Sequence, residues 1–222
     1  MTPAGVSYGD LVARHGLSAS HRLVLDLVPR GARVLDVGCA EGYLAAELLA
    51  RGCEVVGLEP DARAAAAARA RGVEVLELDV ETVPLAAARF DVVVFADVLE
   101  HLRDPVAVLR QARAAGRAVV SVPNIAHWTG RRALLRGRFP REDFGLFDRT
   151  HLRFYTRASA RELAREAGFR VVEERFADAP LPLESRVPRL RALRPAALRR
   201  APELFALQTV LSLEASPAAA AP

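Results

Sequence analysis

The run Phe90-Asp-Val-Val-Val-Phe-Ala96 is nearly all apolar, as a strand must be when both of its faces are covered. That is the situation of a central strand in a parallel sheet. Other β-branched runs predict strands at 34–37, 54–58, 73–78 and 118–122. Between them, Ala-, Leu- and Arg-rich stretches predict helices at 42–51, 61–71 and 105–115, with Leu44, Glu47 and Leu48 recurring at helical spacing. Strand–helix alternation with short links predicts a doubly wound, mostly parallel α/β sheet. At 222 residues and 51% hydrophobic composition, the chain can bury a substantial core and is too apolar to be disordered. Its two cysteines, Cys39 and Cys53, are too few for a disulfide framework or a structural zinc site. No repeat suggests a solenoid. The start does not read as a signal peptide and no apolar run reaches the roughly 18 residues of a membrane span. The expected location is therefore the cytoplasm.

Beyond residue 124 the pattern changes. A short basic helix is expected at 127–137, a polar, turn-rich connection at 139–151, and a helix at 159–168 that Gly168 can end. Strands are expected at 169–176 and 204–213, joined by a Pro- and Arg-rich segment. The domain expectation is one unit over 1–214. It includes an N-terminal helical cover (1–30), an acceptor-side lid (124–156) and a basic helical connection (180–202), and a disordered tail (215–222) is expected to follow it. Charge follows the same division. Residues 1–100 hold 9 Arg against 15 acids, residues 101–222 hold 22 Arg against 12 acids, and there is no lysine. An acidic front and a basic back suggest two different ligands.

The strongest local signal is Val34-Leu-Asp-Val-Gly-Cys-Ala-Glu-Gly-Tyr43. A strand ends in Asp36, and small residues follow at 38, 40 and 42 before a helix start that presents free N–H groups. A dinucleotide fingerprint wants G-x-G-x-x-G, whereas this turn reads G-x-A-x-G. Asp36 would also repel a pyrophosphate and attract a cation. Glu59, in Gly-Leu-Glu59-Pro60-Asp, ends the second strand, where a carboxylate can accept both hydroxyls of a ribose. Asp79 follows the third strand and suits an exocyclic amine; Ala96 and Asp97 close the fourth. These ends converge on the crevice where open parallel sheets bind ligands.

In order and spacing these blocks resemble the class I S-adenosylmethionine-dependent methyltransferases, over roughly residues 20–125. The resemblance implies a Rossmann-like seven-stranded sheet with an antiparallel last strand, which 204–213 would supply. It implies S-adenosyl-L-methionine as cofactor and S-adenosyl-L-homocysteine as product. Asp36, Gly38, Cys39, Ala40 and Gly42 would then line the methionine part, Glu59 and Pro60 the ribose, Asp79 and Val80 the adenine, with Ala96 and Asp97 beside the donor. The family more often has Gly where this chain has Ala40. The stretches Ser121-Val-Pro-Asn-Ile-Ala-His127-Trp128 and Phe147-Asp-Arg-Thr-His151-Leu-Arg-Phe-Tyr155 resemble a branch found with sugar and lipid-linked glycan pathways, and more distantly the quinone-biosynthesis O-methyltransferases.

The expected reaction is O-methylation of a small or sugar-containing acceptor, nucleotide- or lipid-linked versions included. His101 and His151 are the candidate bases, because histidine titrates near neutral pH. His127, Trp128, Arg131, Arg149 and Tyr155 are candidate acceptor contacts. His15 and His21 read as surface or lid residues. No His, Cys or Asp set has metal-ligand spacing along the chain, so no metal is expected. The arginine runs at 131–141 and 186–200 fit a solvated face, an anionic acceptor or an anionic lipid surface. Nucleic acid ranks lower as a partner, because few aromatics interleave with those arginines. A nucleic-acid methyltransferase and a non-catalytic cofactor-binding protein are the alternatives.

Overall fold

Successive residues of a strand point to opposite faces, and β1 (Arg33–Val37) shows what that does here. Val34 joins one apolar layer while Leu35 and Val37 join the other. β2 (Glu54–Leu58), β3 (Glu74–Leu76), β4 (Val92–Ala96) and β5 (Arg117–Pro123) follow in the chain. β4 divides as β1 does, with Val92 and Val94 on one side and Val93 and Phe95 on the other. The computed structural model describes residue 12 and residues 16–217. Its sheet has seven strands in the order β3-β2-β1-β4-β5-β7-β6. β6 is Phe169–Asp178, and β7 (Ala206–Ala215) runs antiparallel to both its neighbours.

The chain moves outward from β1 to β3, then crosses back to start β4 on the other side of β1. That reversal opens a crevice at the carboxyl ends of β1 and β4. Helices α1 (Ala19–Leu27), α2 (Tyr43–Ala50) and α3 (Ala62–Ala70) cover one face; α4 (Pro105–Gln111) and α6 (Arg157–Glu166) cover the other. Between them lies α5 (Trp128–Leu135). Local signals set the helix starts. Asp61 accepts from the amides of Arg63 and Ala64, Asp104 accepts from Ala107 ahead of Pro105, and Thr156 and Ser159 form a reciprocal capping box.

Several expectations need correction. β3 has three residues, not six, and the link over residues 77–91 carries only a 3-10 turn at Ala87–Arg89. The sheet face beside it opens into a cavity of about 630 Å³ lined by Leu35, Val56, Leu58, Leu76, Val80 and Phe90, among others. The helix expected at 105–115 tightens into a 3-10 turn after Gln111. β7 starts at Ala206 because Pro202, at a helix N-terminus, opens the short α8 (Pro202–Phe205), which takes residues 204 and 205. The basic connection holds a 3-10 turn (Pro188–Leu193) and α7 (Arg194–Arg200).

The N-terminal cover is also different. α1 buries Val24 and Leu25 in a core layer with β1, β4 and β5 residues, so it is part of the sandwich. The earlier part of 1–30, His15 included, lies outside the described residues except for residue 12. The tail expected from 215 is ordered at its start: the Ala215 amide donates to Gly116 and the Ser216 amide to Gly168. Residues 218–222 lie outside the described residues. Among the described residues, no helix is long and apolar enough to cross a membrane.

Candidate functional site

The turn after β1 is held from below by β2. The amides of Gly38 and Cys39 both donate to the Leu58 carbonyl, at 2.8 and 3.0 Å. Ala40 sits at φ 48°, and its amide donates to Glu59 Oε2 at 3.0 Å. The other Glu59 oxygen accepts from the Asp61 amide at 2.9 Å. One carboxylate therefore joins the first turn to the second while keeping lone pairs for a ligand. Gly42 is left-handed at φ 77°, and a Cβ there would come within 2.7 Å of the Ala68 Cβ. A Cβ on Gly38 would come within 2.7 Å of Val98. Both glycines are required by packing as well as by backbone angle.

Asp36 is almost completely buried, and its Oδ2 accepts no hydrogen bond. Burial, and secondarily the nearby Glu59 charge, push its carboxyl up to about 7. A buried acceptor in that state is matched to a cation. Cys39 belongs elsewhere: its sulfur packs where a Cβ on Gly57 would stand, and burial pushes the thiol up to about 12. Its side chain fills core space beside the turn. Pro60 and Asp79 are exposed while Val80 is buried; Asp79 Oδ1 accepts from the Glu81 amide at 2.9 Å.

The other side of the crevice is assembled from distant chain. Asp97, at φ 58°, ends β4 and accepts from the Ser121 hydroxyl at 2.6 Å. Its second oxygen lies 4.0 Å from Nε2 of His21. His21 is thus a buried residue at the crevice, not a surface or lid residue, and burial holds its imidazole below the usual range. A 3-10 turn, Leu99–His101, follows. The amides of Leu152 and Arg153 donate to the Glu100 carbonyl at 2.8 and 3.0 Å, which docks the 140s–150s segment on this turn. His151 arrives beside His101 as a result, with ring centroids 4.8 Å apart. His151 Nε2 lies 4.0 Å from Glu100 Oε1. Burial, then the His101 ring, pull the His151 imidazole below its ordinary range. Glu100 is pushed the other way by burial and by Asp97.

The candidate acceptor contacts do not form one group. Tyr155 is a core residue whose hydroxyl donates to the Leu99 carbonyl at 3.5 Å, and burial raises its phenol. His127 is buried at the N-terminus of α5, where Nδ1 accepts from the Thr129 amide; burial pulls it down to about 4. The Trp128 indole donates to the Pro180 carbonyl, Arg131 donates to the Ala126 carbonyl, and Arg149 pairs with Asp143. Sequence spacing misses Glu100 and the Thr150–Asp148 pair. The acid next to His101 was the available signal, but its third partner is remote in the chain.

Strand order, the antiparallel β7 and the paired turns at β1 and β2 are those of the Rossmann-like fold of class I S-adenosylmethionine-dependent methyltransferases. The chain belongs to the family described as methionine biosynthesis protein MetW, whose family model matches residues 18–191. A methyltransferase of Mycobacterium sp. (strain KMS) is 36% identical over 102 residues, 43% of this chain and 40% of that protein. A ubiquinone biosynthesis O-methyltransferase of Psychrobacter arcticus is 29% identical over 102 residues, 42% of this chain and 40% of that protein. The chain thus spans less than half the length of these relatives. Among solved structures, an S-adenosylmethionine-dependent methyltransferase of Thermotoga maritima superposes with a TM-score of 0.66 at 22% identity, covering 94% of this chain and 95% of the other. The magnesium protoporphyrin IX methyltransferase of Synechocystis PCC 6803, solved with S-adenosylhomocysteine, gives 0.64 at 15% identity, over 96% and 90%. At these identities the likeness is one of fold.

Proposed function

We propose that the protein transfers a methyl group from S-adenosylmethionine to a hydroxyl of a small or sugar-containing acceptor. The observation that carries this reading is the pairing, at the carboxyl end of the sheet, of two turns tied through Glu59 with two histidines, His101 on the turn after β4 and His151 on the segment docked against it. When bound, S-adenosylmethionine supplies an electrophilic methyl on a positive sulfonium.

The residues present fit that group. Asp36 offers a buried acceptor without a hydrogen bond at one oxygen, and Glu59 would take the ribose hydroxyls through its remaining lone pairs. Asp79 and Val80 would flank the adenine. Gly38 and Gly42 let the backbone approach closely. Positioning does most of the chemical work in such a transfer, contributing roughly 7–11 kcal/mol when reacting atoms are held at attack distance. The acceptor's proton must also leave, and the His101–His151 pair stands beside the crevice for that task. His151, held neutral by burial, can accept a proton at neutral pH. The exposed Phe139, Leu152 and Phe154 lie near this pair, with Phe154 6.1 Å from His151. They favour an acceptor with an apolar portion, and the O-methyltransferase relatives agree with an oxygen as the atom methylated.

The test is a calorimetric titration of the purified protein with S-adenosylmethionine, followed by incubation of methyl-labelled donor with fractionated host metabolites. Saturable binding and label transfer to one fraction are expected. A His101→Ala, His151→Ala double variant that turns over the identified acceptor at the wild-type rate would refute the proton-handling role.

A further inference from the structure

We propose that Glu100, His101 and His151 bind one first-row divalent transition-metal ion. No ligand spacing in the sequence announces this site, because it is completed by docking of the 140s–150s segment. The ligand atoms of the three residues all lie within 4.8 Å of one another. Around a bound first-row ion such atoms sit about 3–4 Å apart, given bonds of about 2.0–2.2 Å. Small side-chain rotations close that gap.

The second observation is Glu100 itself. Its side chain is 1% exposed, and neither carboxylate oxygen has a hydrogen-bond partner. A buried carboxyl without partners is costly, and the usual remedies are an ion pair or a metal. An ordinary Glu–His hydrogen bond would bring the atoms to about 2.7–3.0 Å; the observed separation from His151 Nε2 is 4.0 Å. The pair stands apart, at a distance that leaves room for an ion between them.

The outer contacts also suit a metal site. His101 Nδ1 lies 3.2 Å from Thr150 Oγ1, and that hydroxyl donates its hydrogen to Asp148 Oδ1 at 2.6 Å. Thr150 must therefore accept from His101, which places the ring proton on Nδ1 and leaves the lone pair on Nε2. A carboxylate reaching a metal-binding histidine through its far nitrogen is the usual way such ligands are oriented. Two imidazoles and one carboxylate favour the ions from manganese to zinc over magnesium or calcium. Three protein ligands also leave coordination positions open. An acceptor oxygen could occupy one, with the ion replacing a free imidazole as the group that acidifies the hydroxyl. That last role rests on the methyl-transfer reading; the binding site does not.

The experiment strips the full chain with chelator and titrates cobalt(II), reading the visible ligand-field bands, with manganese(II) paramagnetic resonance as a second probe. One ion per chain is expected, with imidazole-type nitrogen coordination. Glu100→Gln and His151→Ala should each weaken binding at least about 100-fold, and Thr150→Ala about 10-fold. Circular dichroism and S-adenosylmethionine titration check that each variant stays folded. Glu100→Gln keeps the buried side chain's shape with a neutral amide and is expected to fold. No cobalt binding by wild type, or equal binding by wild type and both ligand variants, would overturn the site. Cobalt binding without S-adenosylmethionine binding would leave the metal site standing and remove the methyl-transfer reading instead.

Discussion

Glu59 and Glu100 are both buried acids at the crevice, yet they are placed by different means. Glu59 takes its amide donors from Ala40, 19 positions back, and from Asp61, two positions ahead. Its environment is one strand–turn–helix unit and the strand beside it. Glu100 is packed by a segment about 50 residues later, and the contact linking His101 to Thr150 spans 49 positions. Local backbone chemistry builds the first site and tertiary docking builds the second. The first consequently has a short amide hydrogen bond to each Glu59 oxygen, while the second holds a carboxyl with none.

The largest expected effect is at the local site. Gly42→Val combines a left-handed backbone with overlap on the Ala68 backbone, where the nearest Cα is 2.9 Å away. Strain and overpacking together should cost about 3–5 kcal/mol, measured by urea denaturation. A loss under 1 kcal/mol would show that this turn is not rigidly packed.

Next comes Asp36. Its folded carboxyl titrates at about 7 against an ordinary 3.8, so the folded state binds its proton more tightly than the unfolded chain. That contribution is fully present below about pH 4 and is lost as pH rises through 7. It amounts to roughly 4 kcal/mol. Asp36→Asn should thus be more stable than wild type at pH 8 and should lack this part of the pH dependence. Identical pH profiles for the two proteins would contradict the assignment. A cationic ligand favours the ionised form, so wild-type affinity for S-adenosylmethionine should rise across the same interval.

Glu59→Ala should weaken cofactor binding by about 2–3 kcal/mol, a loss of two hydrogen bonds to a charged group. The smallest effect belongs to the docked segment. Tyr155→Phe removes one long hydrogen bond to Leu99 and should cost about 0.5–1 kcal/mol of stability without changing the KM for the acceptor. A large KM change would mark Tyr155 as an acceptor contact.

The same contrast explains what could be read from residue order. Val34 to Tyr43 carries its strand, its turn and its helix start in ten letters, and the structure places them as expected, with Gly42 ahead of α2. A late apolar run marked the β7 strand, while its antiparallel direction followed only from the family resemblance. Residue order did not show that Tyr155 and His127, candidate acceptor contacts, are buried, because polar tips on apolar bodies look alike in sequence whether buried or exposed. His21 was missed for a similar reason: an amphipathic helix does not say which surface it will cover. Leu76 and Leu78 are apolar letters that suggested a longer β3, yet both stand partly exposed on the rim of the cavity beside it.

The central claim is that the turns joined by Glu59 receive a positively charged, adenosine-bearing donor. The most direct measurement is parallel calorimetry of wild type and Glu59→Ala against S-adenosylmethionine at pH 8. Wild type is expected to bind saturably at one site per chain, and the variant with affinity lower by about 30- to 150-fold. Equal affinities, or no binding by a folded wild-type protein, would contradict that claim.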